Sequence, residues 1–287
     1  MSKIVIASDS SCDLSKELVE KYDIKIIPYT VVLDDKEYKD GVNITPDELY
    51  AYHKKTGKLP RTAAINFAEA EEIINDLKKD CDELILFTLS GKMSSTNQYI
   101  NNAAAGKNGV YIIDSKNLST GCGHSVIKAA ELAQSGKSGK EIADFINNDF
   151  TDYVNASFVI DSLEYLRKGG RCSSLAALGA NLLKLKPCIE VKEGTMSVGK
   201  KYHGNFEDVL LNNYIPDRLM DAENISLDRV FITHAGCDPK LVEKAAAKVK
   251  ELLPFKEVLI TRAGATVSVH CGANTLGVLF VQKTKVQ

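Results

Sequence analysis

Residues 83–114 read ELILFTLSGKMSSTNQYINNAAAGKNGVYIID, and this stretch decides the fold. Its two ends, ELILFTL and VYIID, are short apolar runs that predict buried strands. Between them lie a polar loop, SGKMSS, and a segment that predicts a helix, TNQYINNAAA. Because a strand, a helix and a second strand in this order form a crossover between parallel strands, the stretch predicts an α/β fold with a mostly parallel sheet.

The same alternation extends toward the N-terminus. KIVIAS (3–8) predicts a strand and KELVEKY (16–22) a helix, while IKIIPYTVVLD (24–34) is strand-like with an internal proline that marks an edge or a bend. TPDE (45–48) combines an N-cap threonine, a proline at the first helical position and a glutamate two residues later. A helix is therefore predicted through about Lys55.

Beyond Gly170 the pattern changes. A helix is predicted over 174–183, two strand-like runs flank the turn KEGT (192–195) and predict a hairpin, and two further strands flank a helix over 239–253. At roughly 150 residues per domain, 287 residues suggest about two domains. We predict an N-terminal α/β domain of mostly parallel sheet with helices over 1–158, and a C-terminal mixed α/β domain with a hairpin over 159–287.

Charge and cysteine content restrict the class of protein. The 36 basic and 38 acidic residues give a net charge of -2, which argues against a polyanionic partner such as nucleic acid. None of the seven cysteines forms a pair at the two-residue spacing of metal or redox motifs, so reduced thiols and no metal are predicted. Without a signal-peptide pattern or an apolar run of about 18 residues, we expect a cytoplasmic protein with no stable membrane insertion.

The sequence matches none of three signatures of nucleotide-binding proteins and hydrolases. A P-loop that included SGKSGK (135–140) would need a glycine at position 131, which is Glu131. GCGHSV (121–126) ends in Val126, where the dinucleotide fingerprint needs glycine. No G-x-S-x-G motif occurs. The sequence therefore predicts no cofactor and no nucleotide site of its own.

Polar residues on loops are the remaining candidates for a site. TLSGKMSST places Ser94 and Ser95 between a strand and a helix, where hydroxyls and free N–H groups can hold an anion, although ordinary helix capping explains them as well. Thr62 lies on a loop before a helix and has the same two interpretations. His270 follows the strand-like RAGATVSV and is predicted at a strand end, where ligands often bind, although a lone histidine is more often structural. Arg171 belongs to a basic turn, and such turns are usually only solvated surface.

Taken together and in order, seven motifs resemble those of the DegV family, the bacterial fatty-acid-binding proteins: SDSSCDL, PRTAA, TLSGKMSST, DSKNLSTGCG, SLEYLRKGGR, LLKLKPCIEV and VHCGANTLG. The resemblance spans nearly the whole chain. It implies two α/β domains with a long-chain fatty acid in a tunnel at or between them. It also implies a binding subunit rather than an enzyme, which presents the carboxylate to a separate dihydroxyacetone-kinase-like fatty acid kinase that forms the acyl phosphate.

The resemblance assigns roles to particular residues. Thr62, Ser94, Ser95 and His270 would surround the carboxylate, and Arg171 and Lys201 would belong to the kinase-docking surface. The sequence departs from the family pattern in three places: TAAIN replaces T-S-Q-P, Ser95 stands where glycine is usual, and Tyr202 and His203 of KKYHG stand where basic residues are more typical. The apolar tunnel candidates are Phe67, Leu163, Leu166, Leu182 and Leu183.

A fatty acid fits these residues physically. Burying about fourteen methylenes offers on the order of 11 kcal/mol before ordering costs, and hydroxyls bind a carboxylate without adding a fixed charge, which leaves it nucleophilic. Two rival functions stay open: a serine-type hydrolase with Ser94 as nucleophile and His270 as base, and a protein that binds a small sugar or dihydroxyacetone.

Overall fold

The computed structural model describes residues 2–178 and 184–286. The strands, in chain order, are β1 (Ile4–Asp9), β2 (Ile24–Ile27), β3 (Thr30–Leu33), β4 (Lys36–Lys39), β5 (Arg61–Ala63), β6 (Glu83–Thr88), β7 (Val110–Asp114), β8 (Val154–Ile160), β9 (Leu185–Lys192), β10 (Thr195–His203), β11 (Ile225–Ala235), β12 (Glu257–Arg262) and β13 (Thr275–Gln282). The α-helices are α1 (Lys16–Lys21), α2 (Pro46–Thr56), α3 (Phe67–Lys78), α4 (Thr96–Ala104), α5 (Ser119–Gln134), α6 (Gly139–Asp149), α7 (Glu164–Gly169), α8 (Phe206–Asp208), α9 (Ile215–Leu219), α10 (Pro239–Leu252) and α11 (Ala265–Cys271).

The first sheet is wholly parallel and has the order β2-β1-β6-β7. Residues 83–114 form β6, α4 and β7, which confirms the predicted crossover. Because strands of a parallel sheet point the same way, the segments that follow β1 and β6 leave the same edge of this sheet side by side.

Pro28 divides the strand-like run at 24–34 between two sheets. β2 pairs with β1 in the first sheet, whereas β3 joins a three-stranded antiparallel sheet of order β4-β3-β5. The proline therefore marks a bend, as the sequence indicates. The bend brings β5, and with it Thr62, beside β3.

The second sheet is mixed and has the order β10-β9-β8-β13-β11-β12. β9 and β10 form the predicted hairpin, with Thr195 opposite Lys192. All of β8 pairs in this sheet, with β9 on one side and β13 on the other. A domain boundary after residue 158 would therefore cut through β8, and the sheet pairing places the whole strand with the second sheet.

Helix α5 packs between the two larger sheets. It contacts β1 and β6 on one side and β8, β11 and β13 on the other. Close packing requires small residues here: a Cβ on Gly123 would lie 2.8 Å from Leu14 Cδ2. The core around α5 is continuous, since Phe87 of the first sheet and Phe231 of the second belong to one buried cluster. Within the described residues, no helix is both long and apolar enough to cross a membrane.

Helix α11 corrects the predicted position of His270. The sequence predicts a strand over the β-branched run at 262–269, but the strand β12 ends at Arg262 and α11 follows. Its free N–H groups are bound by two distant carboxylates: Gly264 N donates to Asp13 Oδ1 at 2.7 Å, and Ala265 N donates to Asp40 Oδ1 at 2.7 Å. Such hydrogen bonds contribute about 0.5–1.5 kcal/mol each, and about 1.5–3 kcal/mol where the carboxyl is ionised, more than the few tenths by which each β-branched residue disfavours a helix.

Candidate functional site

A cavity of about 180 Å³ lies where the parallel sheet, the small antiparallel sheet and α11 meet. All four residues predicted to hold a carboxylate line it, which brings together side chains separated by up to 208 positions in sequence. The polar part of its wall comprises Ser11, Tyr29, Thr62, Ser94, Ser95, Arg171, Thr266 and His270. The apolar part includes Leu89, Met93, Leu118, Phe158, Leu166, Met196, Val267 and Cys271.

His270 is a neutral imidazole bound to Thr62. Its Nε2 lies 3.0 Å from Thr62 Oγ1, whereas among the described residues its buried Nδ1 has no hydrogen-bond partner. Burial and the positive charge of Arg171 lower the pKa of His270 to about 4. Because an unpaired buried N–H is rarer than an unpaired acceptor, we assign the hydrogen to Nε2. Nε2 then donates to Thr62, and the hydroxyl hydrogen of Thr62 is free to donate to a ligand.

Gly169 explains why the glycine pair of KGGR precedes Arg171. A Cβ at Gly169 would lie 2.7 Å from His270 Nδ1, so a side chain there would displace the imidazole. Gly170 has a different reason, since its φ of +68° ends α7 in the left-handed region. The two adjacent glycines therefore serve the site and the helix end respectively.

Ser94 and Thr96 connect the loop before α4 to the segment between α3 and β5, the strand in which Thr62 lies. Ser94 Oγ accepts from Thr96 N at 3.2 Å and donates to Thr96 Oγ1 at 3.1 Å, and Thr96 Oγ1 also accepts from Ile65 N at 3.1 Å. The capping interpretation therefore holds for Ser94 locally. It does not hold for Ser95, which precedes α4 without a capping bond and is exposed at the cavity.

Ser11 and Tyr29 belong to the site, although motif spacing did not identify them. Both line the cavity, and both donate to the buried Asp9 at the end of β1. Strand adjacency would have identified them. β1 and β6 are adjacent parallel strands, so the polar residues that follow the two strands lie at the same edge of the sheet, where α/β proteins bind ligands. The sequence SDSS therefore had to lie beside SGKMSS.

A second, smaller and almost wholly apolar cavity adjoins the first. It shares with the first cavity a wall formed by Leu118, Phe158, Val267 and Cys271. Beyond that wall it is bounded mainly by small and aliphatic side chains, among them Ala156, Val191 and Leu279. The site thus has a polar end of hydroxyls and imidazole and an apolar end that leads into the core.

The predicted tunnel residues divide into three groups. Leu166 lines the first cavity, and Leu163 packs against the neighbouring core. Phe67 lies outside the cavity with 44% of its surface exposed, because the capping box of Asn66 begins α3 at Phe67 and leaves its ring facing solvent. Leu182 and Leu183 lie outside the described residues.

The two residues assigned to kinase docking lie in different surroundings. Arg171 is exposed in the cavity wall, where its Nη1 donates to Gly169 O at 2.7 Å. Lys201 is exposed on β10, an edge strand of the second sheet. Arg171 therefore lies close enough to the site to affect the charge of His270, whereas Lys201 belongs to the outer surface.

Comparison with known proteins gives the chain a family context. A family model described as "Uncharacterised protein, DegV family" matches residues 3–283. A DegV domain-containing protein of Caldanaerobacter subterraneus subsp. tengcongensis is 32% identical over 99% of this chain and 100% of that relative. Another from Clostridium acetobutylicum is 30% identical over 99% of this chain and 100% of its own length.

Solved structures show the same fold. A fatty-acid-binding DegV family protein from Thermus thermophilus matches with a TM-score of 0.89 and 26% identity, covering 98% of this chain and 99% of its own. DegV of Bacillus subtilis, described as a fatty acid binding protein, matches with a TM-score of 0.85 and 24% identity over 99% and 100% of the two chains. The predicted α/β fold, with a mostly parallel sheet in the N-terminal part and a mixed C-terminal part that contains a hairpin, is thereby confirmed.

Proposed function

Because the chain belongs to the DegV family, we propose that it binds a long-chain fatty acid in this cavity, with the carboxylate against Thr62, Ser94 and His270. One observation carries the proposal. A single cavity combines a polar end, where hydroxyls and a neutral imidazole converge, with an apolar wall that continues into a second apolar cavity. That division matches a ligand with one carboxylate and a long hydrocarbon tail.

The polar end suits an anion that must stay reactive. The hydroxyl hydrogen of Thr62 is free to donate to a carboxylate oxygen, and Ser94 can donate by giving up its bond to Thr96 Oγ1. Ser95 adds an exposed hydroxyl in the cavity wall. His270 acts through Thr62, which it holds at 3.0 Å. Bonds of this kind contribute about 1.5–3 kcal/mol each when the acceptor is charged. Arg171 is the positively charged side chain in the described cavity wall. Its exposure to solvent weakens its electrostatic effect on a carboxylate at the polar end.

The apolar wall supplies most of the affinity. Each buried methylene contributes about 0.8 kcal/mol, so the tail outweighs the head group once several methylenes pass the wall formed by Leu118, Phe158, Val267 and Cys271. Leu166 extends that apolar surface on the side of α7. The four residues that line both cavities place the second cavity directly beyond the apolar wall of the first.

The protein would deliver the acid rather than transform it. We propose that a separate dihydroxyacetone-kinase-like kinase phosphorylates the exposed carboxylate to an acyl phosphate in the cytoplasm, and that Arg171 and Lys201 contribute to docking that kinase. The sequence offers no nucleotide motif of its own, and the exposed Arg171 forms part of the cavity wall. A carboxylate held there would face the docking partner.

The geometry favours this proposal over the two rivals. A serine hydrolase needs a base that contacts the nucleophile and a third group that orients the base. His270 bonds Thr62 instead, and among the described residues nothing orients its Nδ1. A sugar has hydroxyls along its whole length, which an apolar inner cavity would leave unpaired.

Native mass spectrometry of protein purified from bacterial cells tests the proposal. We expect a bound mass equal to that of a C14 to C18 fatty acid, lost on denaturation. With ATP and a dihydroxyacetone-kinase-like protein from the same organism, hydroxylamine should trap the product as a hydroxamate. Protein that is empty as purified and takes up neither oleate nor palmitate would contradict the binding function. Bound acid without any hydroxamate would contradict only the kinase step.

A further inference from the structure

Asp9 is a fully buried carboxylate directly behind the polar end of the cavity. Oδ1 accepts from Ser11 N at 3.1 Å and from Ser11 Oγ at 2.5 Å. Oδ2 accepts from Leu89 N at 2.7 Å and from Tyr29 Oη at 3.1 Å. Ser11, Tyr29 and Leu89 all line the cavity. Each of the three residues that bind the Asp9 carboxylate therefore also belongs to the cavity wall.

The hydrogens of these hydroxyls point away from the ligand when Asp9 is ionised. A serine or tyrosine hydroxyl has one hydrogen, and here Ser11 and Tyr29 both donate theirs to Asp9. The 2.5 Å separation from Ser11 is typical of a hydroxyl that donates to a charged carboxylate. Their lone pairs then face the cavity, which is unfavourable for a ligand carboxylate.

One proton on Asp9 reverses this arrangement. A protonated carboxyl has an O–H of its own, which can donate to Ser11 or to Tyr29 and so frees that hydroxyl's hydrogen for the cavity. Tyr29 also lies close to the hydroxyls of Ser94 and Thr96. A change at Asp9 can therefore pass through Tyr29 to Ser94, which we propose contacts the carboxylate.

We propose that Asp9 is a proton-binding positioning residue: it takes one proton from solvent when an anion binds in the cavity, and thereby turns the hydroxyl of Ser11 or that of Tyr29 into a donor to the ligand. The inference rests on the proposed fatty-acid site and adds a regulation of that site by pH. No bond other than the O–H of Asp9 forms. The affinity for the anion then falls as pH rises.

The charges around Asp9 favour uptake of a proton. The titratable groups that face it are Cys12 and Asp13 from the segment after β1, Tyr29 from the segment between β2 and β3, and Cys122 from α5. All four are neutral or anionic, so none of them offsets a negative charge on Asp9. Burial raises the pKa of Asp9 even without a ligand, and a second carboxylate in the cavity disfavours its ionised form further.

Titration calorimetry measures the number of protons taken up when oleate binds. Delipidated protein is titrated with oleate, below its micelle concentration, in buffers of different ionisation enthalpy between about pH 6 and pH 9. We expect uptake of about one proton per oleate where free Asp9 is ionised, with an affinity that falls about tenfold per pH unit there. Asp9→Asn, which is always neutral, should take up no proton and bind with an affinity independent of pH. The exposed Asp35→Asn serves as the matched control and should behave like the parent protein.

The outcomes separate the two proposals. Failure of the parent protein to bind oleate at any pH would contradict the fatty-acid function itself. Binding without proton uptake across the range, or equal uptake by Asp9→Asn, would overturn the role of Asp9, because the proton would then be absent or carried by another group. Should Asp9→Asn not fold, infrared difference spectra of parent protein with carbon-13-labelled aspartate decide the question. A protonated aspartate band must appear when oleate binds, and its absence would overturn the proposal.

Discussion

The position of one imidazole depends on one missing side chain. His270 reaches Thr62 because Gly169 leaves room for its ring, and burial of the ring in that space lowers the pKa of His270 to about 4. The histidine is thus neutral under ordinary conditions and acts as a hydrogen-bond donor. A charged imidazolium would bind a carboxylate more tightly but would also make the carboxylate less nucleophilic.

The two glycines before Arg171 offer a matched test of that position. Gly169→Ala should lower the affinity for oleate by about tenfold to a hundredfold, since it displaces His270 and so removes the bond that orients the Thr62 hydroxyl toward the charged carboxylate. Its free energy of unfolding should change little. Gly170→Ala should do the opposite: it should cost about 1 kcal/mol of stability because its φ is +68°, and it should keep the affinity because nothing lies within 4 Å of its Cβ.

Calorimetry and urea denaturation of both variants supply the measurements. Equal losses of affinity in the two variants would mean that the loop as a whole, rather than the contact with His270, determines binding. A Gly169→Ala protein with parental affinity would remove His270 from the site.

Among the structural elements, those specified by local sequence were predicted well. The crossover at 83–114 and the hairpin about KEGT follow from patterns only a few residues long, and the structure confirms both. Helix α11 could not be predicted in this way, because the carboxylates that bind its first N–H groups come from positions 225 and 251 residues away. Its own β-branched residues indicate a strand.

The candidate site shows the same limit. Ser94 and Ser95 on the loop after β6 were found because short loops between strands and helices often bind ligands. Thr62 was found by the same reasoning, although the structure places it in strand β5 and not on a loop. Ser11 and Tyr29 required knowledge of which strands are neighbours in the sheet. Asp9 was harder still, since its role depends on complete burial and on the direction in which hydroxyl hydrogens point.

Removal of the carboxylate at the start of α11 should affect both stability and the site. Asp40 accepts from Ala265 N at 2.7 Å, from Thr266 N at 3.1 Å and from Ser10 Oγ at 2.9 Å. We expect Asp40→Ala to cost about 3 kcal/mol of unfolding free energy, because it leaves buried N–H groups without partners. Since α11 carries His270, the affinity for oleate should fall at least about tenfold as well.

Ser138→Ala is the control for loss of a helix cap. Ser138 caps α6 with a capping box and lies outside the cavity, so its loss should cost about 1 kcal/mol and leave the affinity unchanged. Parental oleate affinity in Asp40→Ala would show that His270 keeps its position without this cap. Chemical denaturation and calorimetry on the two variants make the comparison.

At the scale of the whole molecule, α5 joins the two sheets into one cooperative unit. It carries His124, whose Nε2 lies 3.1 Å from Leu279 O of β13 and whose ring packs edge-on against Phe231 of β11 at 4.8 Å. Arg229 of the second sheet adds a salt bridge of 2.8 Å to Glu131 of the same helix. Loosening α5 would therefore disturb both sheets together, and with them the cavity between them.

His124 makes the stability of that unit dependent on pH. Burial lowers the pKa of His124 to about 4, whereas an unfolded histidine has a pKa near ~6.5. Between these values the unfolded chain binds a proton that the folded protein does not, so stability falls as pH decreases from 6.5 toward 4 and is fully present above 6.5. His124→Gln keeps a donor for Leu279 O and removes the titration. As pH falls over that interval, the unfolding free energy of His124→Gln should therefore rise relative to that of the parent protein by up to about 3 kcal/mol.

Denaturation at a series of pH values measures this difference, and taking the difference between two proteins cancels the carboxylates that titrate in both. His203→Gln, on the exposed face of β10, is the matched control and should follow the parent protein throughout. A constant difference between His124→Gln and the parent from pH 7 to pH 4 would mean that α5 accepts the charged imidazole without loosening. The two sheets would then be held together chiefly by the apolar cluster around Phe87 and Phe231.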